Sequence, residues 1–139
     1  MTSELDLIDT INRCNISEME KVGAALDPDH HDSCQTFTAH VTGVQAALTH
    51  TYRIISYVAV RESDPGKAAA HWKKMSEFCD LALKALKKLE DKFPHCGTNT
   101  VYDLALDYKS ACDERHDQNL RDSECLNLKI PTGLFQKKN

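Results

Sequence analysis

Apolar residues recur at helical spacing in four stretches of the chain, and proline and glycine separate these stretches. Asp27-Pro28 and Asp64-Pro65 each predict an N-cap followed by proline at the first helical position. The segment 94–98 predicts a helix end, a turn and a new cap. We therefore predict helices over about residues 4–26, 28–63, 65–93 and 98–127, followed by a short C-terminal tail over 128–139.

Each predicted helix carries one apolar stripe, which is the face expected to enter a common core. In chain order the stripes comprise Ile8, Ile11, Met19, Val22 and Leu26; Phe37, Val41, Val44, Leu48 and Ile55; Met75, Phe78, Ala82, Leu86, Leu89 and Phe93; and Val101, Ala105, Tyr108 and Cys112. Short loops between consecutive amphipathic helices favour antiparallel neighbours. The pattern predicts an all-α fold, an antiparallel up-down four-helix bundle that forms a single domain over residues 1–127.

Two segments depart from simple helical periodicity. Ser17 to Glu20 fits a capping box, which indicates a break of the first helix near Asn15. Residues 52–60 are rich in β-branched and aromatic side chains, which favour a strand by propensity alone. No second strand is predicted that would pair with this segment, and an isolated strand leaves its backbone polar groups unsatisfied. We therefore predict helix there.

Composition narrows the class of protein further. The chain has 139 residues, of which 41% are hydrophobic and 27% charged, so it can bury a real core and is not a disordered segment. Its net charge of −4 combines 17 basic with 21 acidic residues, which argues against nucleic acid or an anionic membrane as a partner. Neither a signal peptide nor a membrane span is predicted, which places the protein in the cytoplasm.

The short sequence motifs that identify common classes of enzyme are missing from this chain. It has no GxxxxGK[ST] phosphate loop, no GxGxxG, no GxSxG, no HExxH and no paired ExxH. These absences argue against a familiar hydrolase, oxygenase or nucleotide-binding enzyme. We accordingly expect a protein without catalytic activity and without a cofactor.

The unusual feature of the composition is six cysteines together with seven histidines. With no export signal, reduced thiols are the expected state, although an even count leaves disulfides open. In an up-down bundle the first and third loops lie at the same end. That end gathers His30, His31 and Cys34 with His95 and Cys96, and four of these residues offer a tetrahedral zinc site: His30, Cys34, His95 and Cys96. The alternative is that all of them are ordinary loop residues.

A second cluster of potential ligands is predicted in the middle of the bundle. Counting residues from the shared end places His40, Cys79, Cys112 and Cys14 at nearly the same height, with His116 one turn away from Cys112. These residues offer a zinc or iron site, or they simply fill the core as small apolar and hydrogen-bonded side chains. A third hypothesis is a redox-active or catalytic Cys112 thiol whose pKa is lowered by His116.

The C-terminal region is the least typical of a bundle. Residues 113–124 are almost entirely polar, so they are expected to run in solvent beyond the core or to cover a polar groove on a partner. The tail then offers Leu128, Ile130, Leu134 and Phe135, which either fold back or bind another protein or a second copy. The sequence as a whole predicts a small protein-interaction or adaptor module, with a metal-binding bundle and a thiol enzyme or sensor as alternatives.

Overall fold

The fold consists of four α-helices and agrees with the predicted class. A computed structural model describes residues 4–96 and 98–132, and the side chains of residues 5–96 and 98–127. The helices are α1 (Glu4–Ala25), α2 (Ser33–Arg61), α3 (Pro65–Leu89) and α4 (Thr98–Thr132), and no strand occurs in the described part of the chain. The all-α bundle is confirmed.

The end that holds the α1–α2 and α3–α4 loops is closed by polar contacts between helix termini. Lys92, just after α3, donates from Nζ to the carbonyl oxygens of Gly23 (2.7 Å) and Ala24 (3.0 Å) at the end of α1. A cation there satisfies carbonyls that have no partner within their own helix. Thr38 Oγ1 donates to the carbonyl of Cys96 at 3.0 Å, which joins α2 to the segment before α4.

Consecutive helices are neighbours, but the four helices are not arranged in a square in which the first would also contact the last. Helix α3 packs most extensively on α4 and also contacts α1 and α2, whereas α1 and α4 do not approach each other in the described chain. The reason lies in α3, which is buried around most of its circumference and has four buried small side chains that allow close approach: Ala68, Ala69, Ala82 and Ala85. Helices α2 and α3 thus form the centre of the bundle, with α1 and α4 on opposite sides.

The core is densest near the end that holds the two loops. The rings of Phe37 and Phe93 are both almost fully buried and stack with their centroids 4.3 Å apart. A Cβ atom at Gly23 would lie 2.9 Å from a Leu89 methyl carbon and 3.0 Å from the Phe37 ring. Gly23 therefore allows α1 to approach this part of the core, and a larger residue would require the Leu89 and Phe37 side chains to shift.

The buried face of α1 differs from the predicted stripe. Ile11 is 57% exposed, while Asn12 beside it is buried and its Nδ2 donates to Thr51 Oγ1 at 2.9 Å. The core face runs instead through Asn12, Ile16 and Met19. The prediction that Ile11 faces the core is wrong. Counting apolar residues could not reveal that Asn12 is buried, because its hydrogen-bond partner, Thr51, lies on another helix. The predicted break near Asn15 is also wrong, since α1 is continuous.

Helix α2 begins later than predicted. Residues 27–32 form turns, and the Asp27 carboxylate accepts a hydrogen bond from the Asp29 amide at 3.0 Å instead of capping a helix. The first helical residue is Ser33. The equivalent prediction for α3 is confirmed, because Asp64 Oδ1 accepts from the Gly66 amide at 2.9 Å and Pro65 opens the helix.

The segment 52–60 is helical, as predicted, despite its β-branched and aromatic residues. Tertiary contacts provide the reason. The Tyr52 ring stacks on Tyr108 of α4 with centroids 4.3 Å apart and meets Trp72 of α3 at 6.3 Å. These rings fill the junction of α2, α3 and α4, and that packing outweighs a local strand propensity of at most about 1 kcal/mol.

Helix α4 corrects the prediction for the polar segment 113–124. This segment continues α4 and lies along α3 for most of its length: the Arg115 guanidinium lies 5.3 Å from the centre of the Trp72 ring, and a Cβ at Gly66 would lie 3.6 Å from Ser123 Oγ. Long polar side chains can cover apolar surface with their stems while their charged ends stay in water. The helix extends past the predicted residue 127 to Thr132.

Candidate functional site

Cys34 and Cys96 form a disulfide at the end of the bundle that holds the α1–α2 and α3–α4 loops. Their Cα atoms are 5.3 Å apart although the residues are 62 positions apart in sequence. The prediction of reduced thiols is therefore wrong for this pair. The zinc set of His30, Cys34, His95 and Cys96 is corrected as well, because two sulfurs bonded to each other do not offer thiolate ligands.

A different group of potential ligands gathers at the same end. Ligand atoms of His30, His31 and Asp32 all lie within 4.8 Å of one another, and all three residues are exposed. His95 is exposed in the α3–α4 loop and does not belong to this group. His30 was a predicted ligand, whereas the contribution of Asp32 was missed because the predicted sites were built from cysteine and histidine alone.

The predicted middle layer is only partly assembled. Cys79 and Cys112 are both fully buried, and Cys112 lies close enough to Cys79 to disfavour the Cys79 thiolate. His40 and His116 are half-buried and Cys14 is exposed. In the described part of the chain these five residues form no group of three ligands within reach of one ion. Cys79 and Cys112 fit the alternative that the sequence left open, in which they are ordinary core residues.

Burial raises the pKa of both core thiols to about 12. For Cys79 the neighbouring Cys112 raises the pKa further, and Lys109 lowers it by a smaller amount. This direction is opposite to the lowered pKa that the hypothesis of a reactive Cys112 requires. His116 is not among the groups that shift the pKa of Cys112, and its Nδ1 lies 3.3 Å from Asp117 Oδ1.

A polar network crosses the α3–α4 interface beside these thiols. Ser76 Oγ donates to Asp113 Oδ1 at 2.6 Å, and Lys109 Nζ donates to Ser76 Oγ at 3.1 Å. Lys109 also lies 3.7 Å from Asp113 and 3.8 Å from Asp80. The network provides hydrogen-bond partners for the hydroxyl of Ser76, a residue that is 6% exposed. These paired polar groups favour one specific packing of α3 on α4, and they leave no reactive group of the network unpaired.

The described surface offers no large enclosed pocket. The most enclosed cavity lies between α1, α2 and α3 beside the Asn12–Thr51 pair, and its volume of about 20 Å³ holds about one water molecule. Ile8 and Phe78 provide apolar walls for this cavity. The other depressions are shallow and open to solvent. None of them encloses a small-molecule substrate in the way that typical ligand pockets do.

The cysteines are expected to react with a thiol reagent in three distinct pairs. In native protein without reductant, the exposed Cys14 and Cys125 should be labelled at neutral pH. Cys79 and Cys112 should be labelled only after unfolding, because they are buried and their pKa values leave about 1000-fold less thiolate than an ordinary thiol. The disulfide pair should require reductant as well. Mass spectrometry of labelled peptides checks this order, and early labelling of Cys112 would contradict it.

Part of the predicted partner-binding set lies outside the described residues. Leu134 and Phe135 belong to the segment 133–139, and the side chains of Leu128 and Ile130 are likewise outside the described set, although α4 includes their backbone. In the described chain no helix is both long enough and apolar enough to cross a membrane. The chain matches no family model, no curated protein and no solved structure.

Proposed function

We propose that this protein is an interaction module that binds a second copy of itself through the projecting end of α4. The observation that carries the proposal is the difference in length between α4, with 35 residues, and α3, with 25. The start of α3 meets α4 near Ser123, so the nine residues 124–132 continue for about 13 Å beyond it. We call residues 124–132 the projecting end, and α1 does not contact α4 in the described chain.

The projecting end combines apolar residues with exposure. Leu126 is 48% exposed, and residues 124–127 are all exposed. The described part of this end thus exposes an apolar side chain, Leu126, among polar neighbours. Burying such side chains against a partner is favourable by about 25 cal/mol per Å² of apolar surface. A helix-in-groove contact is the recognition mode that this arrangement favours.

Apolar residues exposed at the same end of the bundle provide a complementary surface. Leu7 and Ile11, one turn apart on α1, are 52% and 57% exposed, and Tyr57 and Val60 of α2 are 60% and 71% exposed. Each copy therefore carries a projecting helix end with an exposed Leu126, and further exposed apolar residues at the same end of the bundle. In a twofold dimer the projecting end of each copy contacts the exposed apolar residues of the other copy, so both elements are used twice. This argues that the partner is a second copy and not an unrelated protein.

The dimer is tested by size-exclusion chromatography with light scattering on the full chain. We expect wild type to have twice the monomer mass of 15.6 kDa at micromolar concentration. Leu126→Glu or Val60→Glu should raise the dissociation constant at least tenfold, which corresponds to about 1.4 kcal/mol, because each places a charge in the buried centre of the interface.

Leu106→Glu is the matched control, because Leu106 is 43% exposed on the same helix but lies away from the projecting end. It should leave the dimer intact. A wild-type protein that stays monomeric at 100 µM, or a dimer that all three variants disrupt equally, would show that the projecting end is not the interface.

The Cys34–Cys96 disulfide bears on where the protein works. Disulfides persist in oxidising compartments and are rare in the cytoplasm. The bond therefore favours an oxidising environment over the cytoplasm predicted from the sequence. The labelling experiment described above tests this when it is applied to protein alkylated in its native cells. Reaction of both cysteines without reductant would favour the cytoplasm.

A further inference from the structure

The α1–α2 loop carries an acidic and imidazole-rich segment that the proposed dimer does not use. Residues 27–32 read Asp-Pro-Asp-His-His-Asp, and they lie at the end of the bundle opposite to the projecting end of α4. Ligand atoms of the three final residues, His30, His31 and Asp32, lie within 4.8 Å of one another. Two imidazoles and a carboxylate form a donor set that suits zinc, nickel and copper ions.

The distances in this cluster are close to those that an ion requires. A tetrahedral ion with bonds of about 2.1 Å separates its ligand atoms by about 3.4 Å. His31 Nε2 lies 3.2 Å from Asp32 Oδ2. The His30 ring stacks on His31 with centroids 4.6 Å apart, and its Nδ1 accepts a long hydrogen bond of 3.3 Å from the Asp32 amide. The backbone of Asp32 thus holds the His30 ring beside the residue whose carboxylate meets His31.

Asp32 behaves unlike an ordinary residue at a helix start. It occupies the N-cap position of α2, where aspartate normally accepts a hydrogen bond from the backbone of the first turn. Its side chain makes no such capping bond. The carboxylate pairs with His31 instead, so it is available as a metal ligand without loss of a helix cap.

The loop is held in place by several contacts around the cluster. The buried hydroxyl of Ser33 donates to the carbonyl oxygens of His30 (2.8 Å) and Pro28 (3.1 Å). The His30 amide donates to the Asp27 carbonyl at 3.1 Å, and the adjacent Cys34 is fixed by its disulfide to Cys96. A loop held in this way presents its ligands with less loss of conformational freedom on binding.

The charge of the loop also favours a cation. Three aspartates lie within six residues, and the segment has no lysine or arginine to offset them. The N-terminus of α2 opposes a cation, but it acts as only about half of one positive charge and is screened at the surface. The side chains of His31 and Asp32 are 82% and 59% exposed, which leaves space for water molecules to complete the coordination.

We propose that His30, His31 and Asp32 bind a divalent transition-metal ion such as Zn²⁺. The site differs from the zinc set predicted from the sequence, because it lies within one loop and uses no sulfur. A metal ion binds only neutral imidazoles, so binding weakens in acid.

Isothermal titration calorimetry with Zn²⁺ alone tests the site on the disulfide-bonded full chain. Cys14→Ser and Cys125→Ser in the background remove the two exposed thiols, which would otherwise bind zinc themselves. We expect one equivalent of Zn²⁺ per chain at pH 7.5 and binding at least about tenfold weaker at pH 5.5. His31→Ala and Asp32→Asn should each weaken binding at least about tenfold.

His50→Ala and His95→Ala are the matched controls, since both histidines are exposed and neither belongs to the cluster. They should bind Zn²⁺ as wild type does. Circular dichroism should show the same helix content in all variants, which keeps a loss of binding separate from a loss of fold. Absence of stoichiometric binding, or a loss caused by His95→Ala but not by His31→Ala, would overturn the assignment. Neither result bears on the dimer, whose interface lies at the opposite end.

Discussion

Replacing Cys34 and Cys96 by alanine together should lower the free energy of unfolding by about 4 kcal/mol. The bond closes a loop of 62 residues that spans α2 and α3, so it removes a large amount of conformational entropy from the unfolded chain. A domain of this size is stabilised by only about 5–15 kcal/mol in total. Urea unfolding, followed by circular dichroism at neutral pH, measures the loss.

Two comparisons make this result specific to the bond. Reductant should destabilise wild type by a similar amount and leave the double variant unchanged. Cys14→Ala/Cys125→Ala also removes two cysteines, but both are exposed and free, so its stability should stay within about 0.5 kcal/mol of wild type. A double variant at positions 34 and 96 that unfolds at the wild-type urea concentration would show that the disulfide does not form or does not stabilise the fold.

Raising the pH from 9 to 11 should destabilise the protein by about 5 kcal/mol through Cys79 and Cys112 alone. Burial raises the pKa of each thiol from its ordinary value of 9.0 to about 12 in the folded state. The unfolded chain therefore releases both protons first. The stabilisation is complete below pH 9 and is lost as the pH rises toward 12, at about 2.7 kcal/mol per pH unit for two thiols.

The slope of stability against pH is the quantity to measure, because lysine and tyrosine residues titrate in the same range. Cys79→Ala/Cys112→Ala loses some packing at every pH but should also lose this part of the slope. Urea unfolding of both proteins between pH 8 and 11, in a background without Cys14 and Cys125, separates the two effects. Equal slopes in the two proteins would mean that the core thiols ionise as easily in the folded state as in the unfolded one.

Much of the fold was predictable because its signals are local. The cap at Asp64 follows from neighbouring residues and is confirmed, whereas the helix over 52–60 was predicted because no partner strand exists, and it is confirmed as well. The prediction that Asp27 caps α2 used the same Asp-Pro signal and was wrong. The difference is that Ser33 is buried and hydrogen-bonded to the loop, which delays the start of α2 by five residues relative to the prediction.

The candidate sites were less predictable, because they depend on how the helices are rotated and paired. Counting residues placed Cys79 and Cys112 correctly in one layer, and both are buried there. The residue count could not show that His116, which was predicted to act with Cys112, pairs with Asp117. Nor could it show that Asp32 fails to cap α2, since both outcomes fit the same local sequence.

The sequence by itself determined the number of helices, their approximate bounds and the end of the bundle at which the first and third loops meet. These properties follow from side-chain periodicity and from caps, whose energies are decided within a few residues. Only the tertiary structure decided that Cys34 bonds to Cys96, that α1 and α4 lie on opposite sides, and that α4 projects beyond α3. These properties depend on contacts between residues far apart in the chain, and many different pairings satisfy the same apolar stripes.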